Sequence, residues 1–369
     1  MPRRDSLEDM TSWTRTRVTR LLNIDLPMVL GPFGGLSSVS LTATVSEAGG
    51  LGSFGLYGYS AERIAETARA LDEATSKPYA LNLWLPLEQE EPAQPDEERF
   101  AQFVQVLQPY FAAVGIEPPT RPAVYAADVD EQIQASIEAE PAVISFVFGV
   151  PSGEVVEAAH SRGITVIGTA TTVEEAVALA DGGVDAIVAS GMEAGGHKVS
   201  FLDTPESSLI GTFSLVPQVV DAVAIPVIAA GGVADSRGVA AALTLGAEAV
   251  QIGSAFLATK QSAANDQYRA ALRGPEARHT VLTRAMSGRL ARGIPNRITR
   301  ELADPGMHAP FPVQNWLTGH FRAKAAELGI IDLMSLWAGQ SAPLIKDDDA
   351  EQLMRSLVES VNKILDSHS

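Results

Sequence analysis

Apolar residues along the chain gather into short unbroken runs instead of alternating with polar ones. The runs are LPMVLGP (26–32), LGSFG (51–55), YALNLWL (79–85), AVISFVFG (142–149), ITVIGTA (164–170), AIVASG (186–191), IPVIAAGG (225–232) and AVQIGSAF (249–256). Continuous stretches of this length suit strands buried on both faces of a parallel sheet. Helix signals lie between them. Residues 60–74 start on Ser60 as N-cap and repeat apolar side chains at Ile64, Ala68 and Leu71. Residues 171–183 set Thr172 and Glu175 at capping-box spacing and stop at Gly182 and Gly183, and residues 235–248 run from a cap at Asp235 to Gly246. Strand then helix, eight times over, predicts an α/β fold that closes into a (β/α)8 TIM barrel, with the loops after the strands gathered at one rim. An open doubly wound sheet is the competing arrangement.

Two stretches interrupt the repeat. Residues 88–125 are acidic and proline-rich and then helical, and residues 260–345 follow the eighth run with more chain than one helix needs. The expected division is therefore a barrel over 1–259 carrying the insertion at 88–125, a smaller, mostly helical lobe over 260–345 above the barrel mouth, and a C-terminal helix within 346–369. That helix starts with acids and lines up Leu353, Leu357, Val361, Ile364 and Leu365, so it is expected to pack back on the barrel.

The 369 residues carry 27 Lys plus Arg against 45 Asp plus Glu, a net charge of −18, which disfavours nucleic acid and anionic membrane as partners and leaves a small molecule. There is no cysteine, so thiolate chemistry and disulfides are out. The opening MPRRDSLEDMTSWTRTR has no apolar segment behind its basic residues, and no apolar run reaches the ~18 residues of a membrane span, so a cytoplasmic protein is expected. No HExxH, GxxxxGK[ST], GxSxG or Cys/His cluster occurs, and GPFGG lacks the spacing of a dinucleotide fingerprint. Neither a resident metal nor a P-loop nucleotide is supported.

What remains lies at the ends of the later runs. AAGG (229–232) and QIGS (251–254) end the seventh and eighth, where barrels commonly bind a phosphate on backbone N–H groups that glycine leaves accessible. The plainer alternative is that these glycines only turn strand into helix. After the sixth run comes GMEAGGH (191–197), whose glycines let backbone pass close under a planar ligand and whose His197 is expected over it. The other histidines, His160, His279, His308, His320 and His368, have no such context and read as surface or packing residues. An imidazole there has a pKa suited to proton transfer near neutrality.

Taken in order, LPMVLGPFGG, LNLW (81–84), GMEAGGH, IPVIAAGGV (225–233), VQIGSAF (250–256) and WAGQ (337–340) resemble the nitronate monooxygenase family, formerly called 2-nitropropane dioxygenases, over most of the chain. The resemblance implies an FMN-dependent barrel with the cofactor phosphate on backbone amides at Gly231, Gly232, Gly253 and Ser254. It implies that Asn82 bonds the flavin pyrimidine edge, that Gly195 packs against the ring, that Met28 and its neighbours support it through backbone, and that Ser190 and Gln251 belong to the same site. His197 matches the family's catalytic histidine, a base toward neutral nitroalkanes or a group that orients nitronates, which react with O2 to give a carbonyl compound and nitrite.

Some positions depart from the family pattern. Lys198-Val199 stand where Arg-Gly is common, Ser190 where glutamine is frequent, and Val147 where some members place a polar residue. Arg284, Arg289, Arg292 and Arg297 could form a cationic lid for an anionic substrate, although pairing with the surplus carboxylates is the expected outcome. Trp337 and Gln340 could line the flavin or fill the lobe's core. Two other functions stay open: an NAD(P)H-dependent flavin reductase of quinones or enoyl thioesters on the same scaffold, and a cofactor-free barrel that only binds.

Overall fold

A computed structural model describes residues 13–87 and 93–366. The N-terminal stretch through residue 12, the start of the insertion at 88–92, and 367–369 with His368 lie outside the described residues. In chain order the strands are β1 (Met28–Leu30), β2 (Gly52–Gly55), β3 (Tyr79–Trp84), β4 (Val143–Val147), β5 (Thr165–Ala170), β6 (Ala186–Ser190), β7 (Gly196–His197), β8 (Val227–Ala230), β9 (Ala249–Ile252), β10 (Val281–Thr283) and β11 (Ala291–Gly293). Eight of them, all parallel, follow one another as β1-β9-β8-β6-β5-β4-β3-β2. A bridge from Val29 to Leu51 joins the two ends, so the sheet is a closed (β/α)8 barrel and the open-sheet alternative is excluded.

The barrel strands coincide with the apolar runs because both faces of each are covered. In β6, Ala186 and Val188 join a cluster of small and branched side chains inside the barrel, while Ile187 and Ala189 join the larger cluster shared with the outer helices. The same parity puts Ile228 and Ala230 inside and Val227 and Ala229 outside in β8. The helix Arg17–Leu22 closes the end of the barrel away from the rim, sending Val18 and Leu22 into the inner cluster.

Three predicted helix starts hold. Ser60 accepts from Arg63 N–H, Thr172 from Glu175 N–H, and Asp235 from Arg237 and Gly238 N–H. The capping box at Thr172 is only half formed. Glu175 does not reach back to its cap; its carboxylate, fully buried, accepts from Thr171 N–H (2.7 Å), Thr171 Oγ1–H (2.8 Å) and Phe201 N–H (2.6 Å). A local motif has been diverted to hold the chain that leaves the sixth barrel loop. The last helix, Ala350–Asp366, packs Leu353, Met354, Leu357 and Val361 into the barrel's outer core and completes the ring of helices after β9.

Outside the barrel a second core joins Phe100, Phe103, Leu107 and Phe111 of the inserted helix Glu97–Ala113 to Tyr268, Leu317, Phe321 and their neighbours from the 257–342 stretch. The 260–345 stretch is not helical throughout. β10 and β11 form an antiparallel sheet whose third strand is β7, so Ala291 faces His197 and Arg292 faces Gly196. His197 therefore sits on a paired strand and not, as the sequence suggested, in a free loop. Among the described residues no helix is long and apolar enough to cross a membrane.

Glu175→Ala removes the acceptor shared by Thr171, Phe201 and Leu202 and is expected to cost about 3 kcal/mol of stability, read as a lower urea midpoint at unchanged slope. Glu175→Gln should recover part of that loss.

Candidate active site

The barrel's inward parity decides what reaches the rim. In β3, Ala80 points inward, so Asn82 and Trp84 do too, higher up. In the same way Ser145 and Val147 follow Val143, Thr169 follows Ile167, Ser190 follows Val188, and Gln251 follows Ala249. All of these line one cavity at the C-terminal ends of the strands, about 1480 Å³ counting its opening. Its rim is completed by Gly31–Gly34 after β1, by Gly195–His197, by Gly231 and Gly232, and by Gly253 and Ser254.

Of the residues named from sequence, Asn82, Ser190, Gly195, His197, Gly231, Gly232, Gln251, Gly253 and Ser254 are brought together here. Met28 is not. It lies at the start of β1, fully buried, on the face turned to the outer helices, and its carbonyl accepts from Leu51 N–H within the sheet. Gly31, Pro32 and Phe33 occupy the rim position it was expected to support.

The glycines make a cradle. Gly231 and Gly232 have φ of +94° and +75°, which side-chain-bearing residues rarely adopt. A Cβ on Gly253 would meet nothing nearer than Phe33 at 3.7 Å, and one on Gly232 nothing nearer than Glu193 at 3.7 Å, so the space before both is cavity. Gly195 is tight instead: a Cβ there would lie 2.6 Å from the backbone of Ala338 and Gly339. The WAGQ segment thus closes over the loop. Gly339 N–H donates to Ser254 Oγ (2.8 Å) and Gln340 N–H to the Glu193 carbonyl (2.9 Å). Trp337 lines the cavity, whereas the Gln340 side chain is exposed.

Asn82 and Ser145 are register partners across β3 and β4, and the Asn82 amide nitrogen donates to the Ser145 carbonyl (3.2 Å) and hydroxyl (3.0 Å). That leaves the Asn82 oxygen as the group free to accept. These features fit a flat, hydrogen-bonding ligand with an anionic tail.

His197 lines the same cavity, its ring 4.9 Å from Trp84 and 5.3 Å from Trp337. Nε2 is 2.8 Å from Ser287 Oγ. Ser287 Oγ also lies 3.2 Å from the Arg289 carbonyl and accepts Arg289 N–H (3.3 Å). Ser287 thus engages Nε2 and leaves Nδ1 as the second ring nitrogen, the tautomer following from which way the Ser287 hydroxyl turns. Burial, then the charges of Arg289, Arg322 and Lys198, push the His197 pKa down to about 3. Both causes favour the neutral imidazole.

Sequence reasoning missed Arg322. It lines the cavity from helix Val313–Leu328, donates to Ser335 Oγ (2.6 Å) and Asn315 Oδ1 (2.8 Å), and its Nε is buried without a partner. Burial lowers its pKa to about 10. A single arginine in an amphipathic helix gives no signal of facing inward.

The four flagged arginines divide. Arg284 pairs with Glu206 (2.7 Å) and Arg297 with Glu301 (2.9 Å), as expected of surface charges. Arg292 is buried and donates to the Met192 carbonyl (3.0 Å), and Arg289 lies between the rings of Phe148 (4.2 Å) and Phe311 (3.8 Å). Lys198, also buried, donates to the carbonyls of Ala194 (2.6 Å) and Met192 (3.3 Å), with its pKa pushed down to about 7 by burial and by Arg292. His160 pairs with Asp185 and His320 meets Trp316 edge to face, both away from the cavity.

The family model for nitronate monooxygenase matches residues 15–360. The chain belongs to the nitronate monooxygenase family. Proteins described as probable nitronate monooxygenase in Staphylococcus aureus strains JH9 and Newman are 38% identical over 356 residues, 96% of this chain and 99% of theirs. Among solved structures, a nitroalkane oxidase from Streptomyces ansochromogenes superposes with TM-score 0.85 at 34% identity, covering 95% of this chain and 99% of that one. FabK from Thermotoga maritima superposes with TM-score 0.75 at 29% identity, covering 96% and 98%. Like other nitronate monooxygenase family members, the chain is an oxidoreductase of a flavin-dependent family that acts on a small molecule.

Labelled-histidine NMR of this nitronate monooxygenase family member is expected to show His197 neutral from pH 8 down to about 4. A ring that titrates near 6.5 would contradict the electrostatics. Because the native pKa lies below the unfolded one, stability should fall as pH drops from about 6.5 toward 3, where only the unfolded chain takes up that proton.

Proposed function

We propose that the chain is an FMN-dependent nitronate monooxygenase, with two alkyl nitronates and one O2 yielding two carbonyl compounds and two nitrites. The observation that carries this reading is the buried imidazole of His197, lining one cavity with a cradle of glycine backbone. When bound, the flavin would supply the redox capacity by which the nitronate is oxidised at the expense of O2.

The chain's own residues do the rest. Backbone N–H groups at Gly231, Gly232, Gly253 and Ser254 would hold the cofactor phosphate, Asn82 would accept from the pyrimidine edge, Gln251 and Ser190 would border the ring, and Gly195, lacking a Cβ, lets the rim loop close on Ala338 and Gly339 beside it. His197 offers Nδ1. With a neutral nitroalkane it takes the α-proton; with a nitronate, which has none to give, it orients the substrate. Arg322 and Arg289 bring positive charge to the same wall and favour the anionic form. Trp84 and Trp337 confine the imidazole edgewise and keep water away from it.

A second reading is an NAD(P)H-dependent flavin reductase of quinones or enoyl thioesters, favoured by the likeness to FabK. The two separate in one experiment. On the first, the yellow purified protein consumes O2 and releases nitrite from a nitronate with no pyridine nucleotide present. Rapid bleaching of the flavin by NADH or NADPH, without nitrite, would select the second, and protein that neither carries nor takes up FMN would leave a binding barrel.

His197→Asn is expected to keep its FMN spectrum while nitrite release from nitroethane falls by roughly 10²- to 10⁴-fold. Undiminished turnover would remove His197 from the mechanism.

A further inference from the structure

A second cavity, about 720 Å³ counting its opening, lies behind the wall of the first. Tyr57 and Trp84 line both. With Phe311 they form an aromatic partition, Tyr57 4.4 Å from Trp84 and Trp84 6.2 Å from Phe311 between centroids. Beyond it the lining is Leu85, Pro86, Leu87, Ala127, Val129 and Pro312.

The polar groups at its edge are already engaged. Gln132 donates to the Tyr59 carbonyl (2.7 Å), Tyr57 OH accepts from Asn315 (3.1 Å), and the Arg289 guanidinium is layered on Phe311. The space therefore suits hydrocarbon and gives little to a polar ligand. It abuts the candidate active site across this partition, since the Trp84 ring that forms its wall stands 4.9 Å from the His197 ring, and a turn of the Tyr57 or Trp84 side chain would join the two. An organic arm on a carbon reacting beside His197 has this partition as its neighbour.

We propose that the second cavity is the subsite for the hydrocarbon arm of the substrate, so the preferred substrate is a linear medium-chain alkyl nitronate and not a short nitroalkane. This rests on the reaction proposed above, but its binding component can be tested apart from turnover.

The test uses FMN-loaded protein and 1-nitroalkanes from ethyl to octyl. Dissociation constants are measured anaerobically by calorimetry, and KM for the nitronates aerobically through nitrite. Each buried methylene is worth up to about fourfold, so octyl should bind about thirtyfold or more tighter than ethyl. Ala127→Phe, which fills the cavity, and Leu87→Gln, which makes its wall polar, should each cut that ratio to about threefold or less while leaving the ethyl values unchanged.

A flat chain-length series in the wild type, or a slope unaltered in both variants, overturns the proposal. Tighter binding of 2-phenylnitroethane than of nitrooctane also overturns it, in favour of an aromatic arm. Retention of the chain-length trend in binding without any nitrite release would uphold the subsite and count against the reaction.

Discussion

The structure depends on one short stretch of backbone pairing. The loop after β6 must leave a barrel whose own hydrogen bonds are complete, and it finds new partners only because β11 meets it, opposing Ala291 to His197 and Arg292 to Gly196. Gly196 makes that turn at φ +76°. Carbonyls the loop cannot pair within the barrel are met by Lys198 and by the Arg292 guanidinium. Two buried cations thus serve as hydrogen-bond donors to backbone, which offsets part of their desolvation. The imidazole is fixed by the chain on both sides of it and by Ser287 beneath, so its position is a property of the lobe as much as of the barrel.

Charge is distributed against the average. The chain carries −18, yet Arg289, Arg322 and Lys198 all act on His197 from within the fold. Their fields and the loss of water work in one direction, keeping the imidazole uncharged. An anion entering the cavity reverses part of that effect and raises the basicity of Nδ1 when substrate is present. A surface of mostly negative sign around an interior of positive sign also disfavours nonspecific anion binding elsewhere on the molecule.

The barrel was legible because burial on both faces leaves continuous apolar runs, and the glycine-ended runs marked the rim. Parity along β3, β4 and β5 also contained Trp84, Ser145 and Thr169, which would have emerged from extending the inward register of Asn82. The pairing of β7 with β11 could not be read. Strands of two and three residues show no periodicity, and their partners lie about ninety positions apart. Met28 was misplaced because a residue in a conspicuous motif was taken to reach the rim, whereas its place at the strand's start and its outward parity bury it among helices. Glu175 shows the same limit on a smaller scale, its capping-box spacing overruled by a tertiary contact to Phe201.

The shared core of the inserted helix Glu97–Ala113 and the 257–342 stretch gives the cavity two walls of different origin. The barrel contributes glycine backbone and the inward side chains of its strands, features set by closure of the sheet. The other wall, with Arg322, Trp337 and the strand that holds His197, comes from chain whose packing the barrel does not dictate. Similarity to both a nitroalkane oxidase and FabK over nearly the full chain fits this split, since a scaffold common to both leaves the choice of reaction to the site. The aromatic partition of Tyr57, Trp84 and Phe311 lies on the seam, with residues from the barrel and from the lobe. A change in the lobe that moved Phe311 would alter the route to the second cavity without touching the glycine cradle, so substrate preference can vary while the cofactor site stays intact.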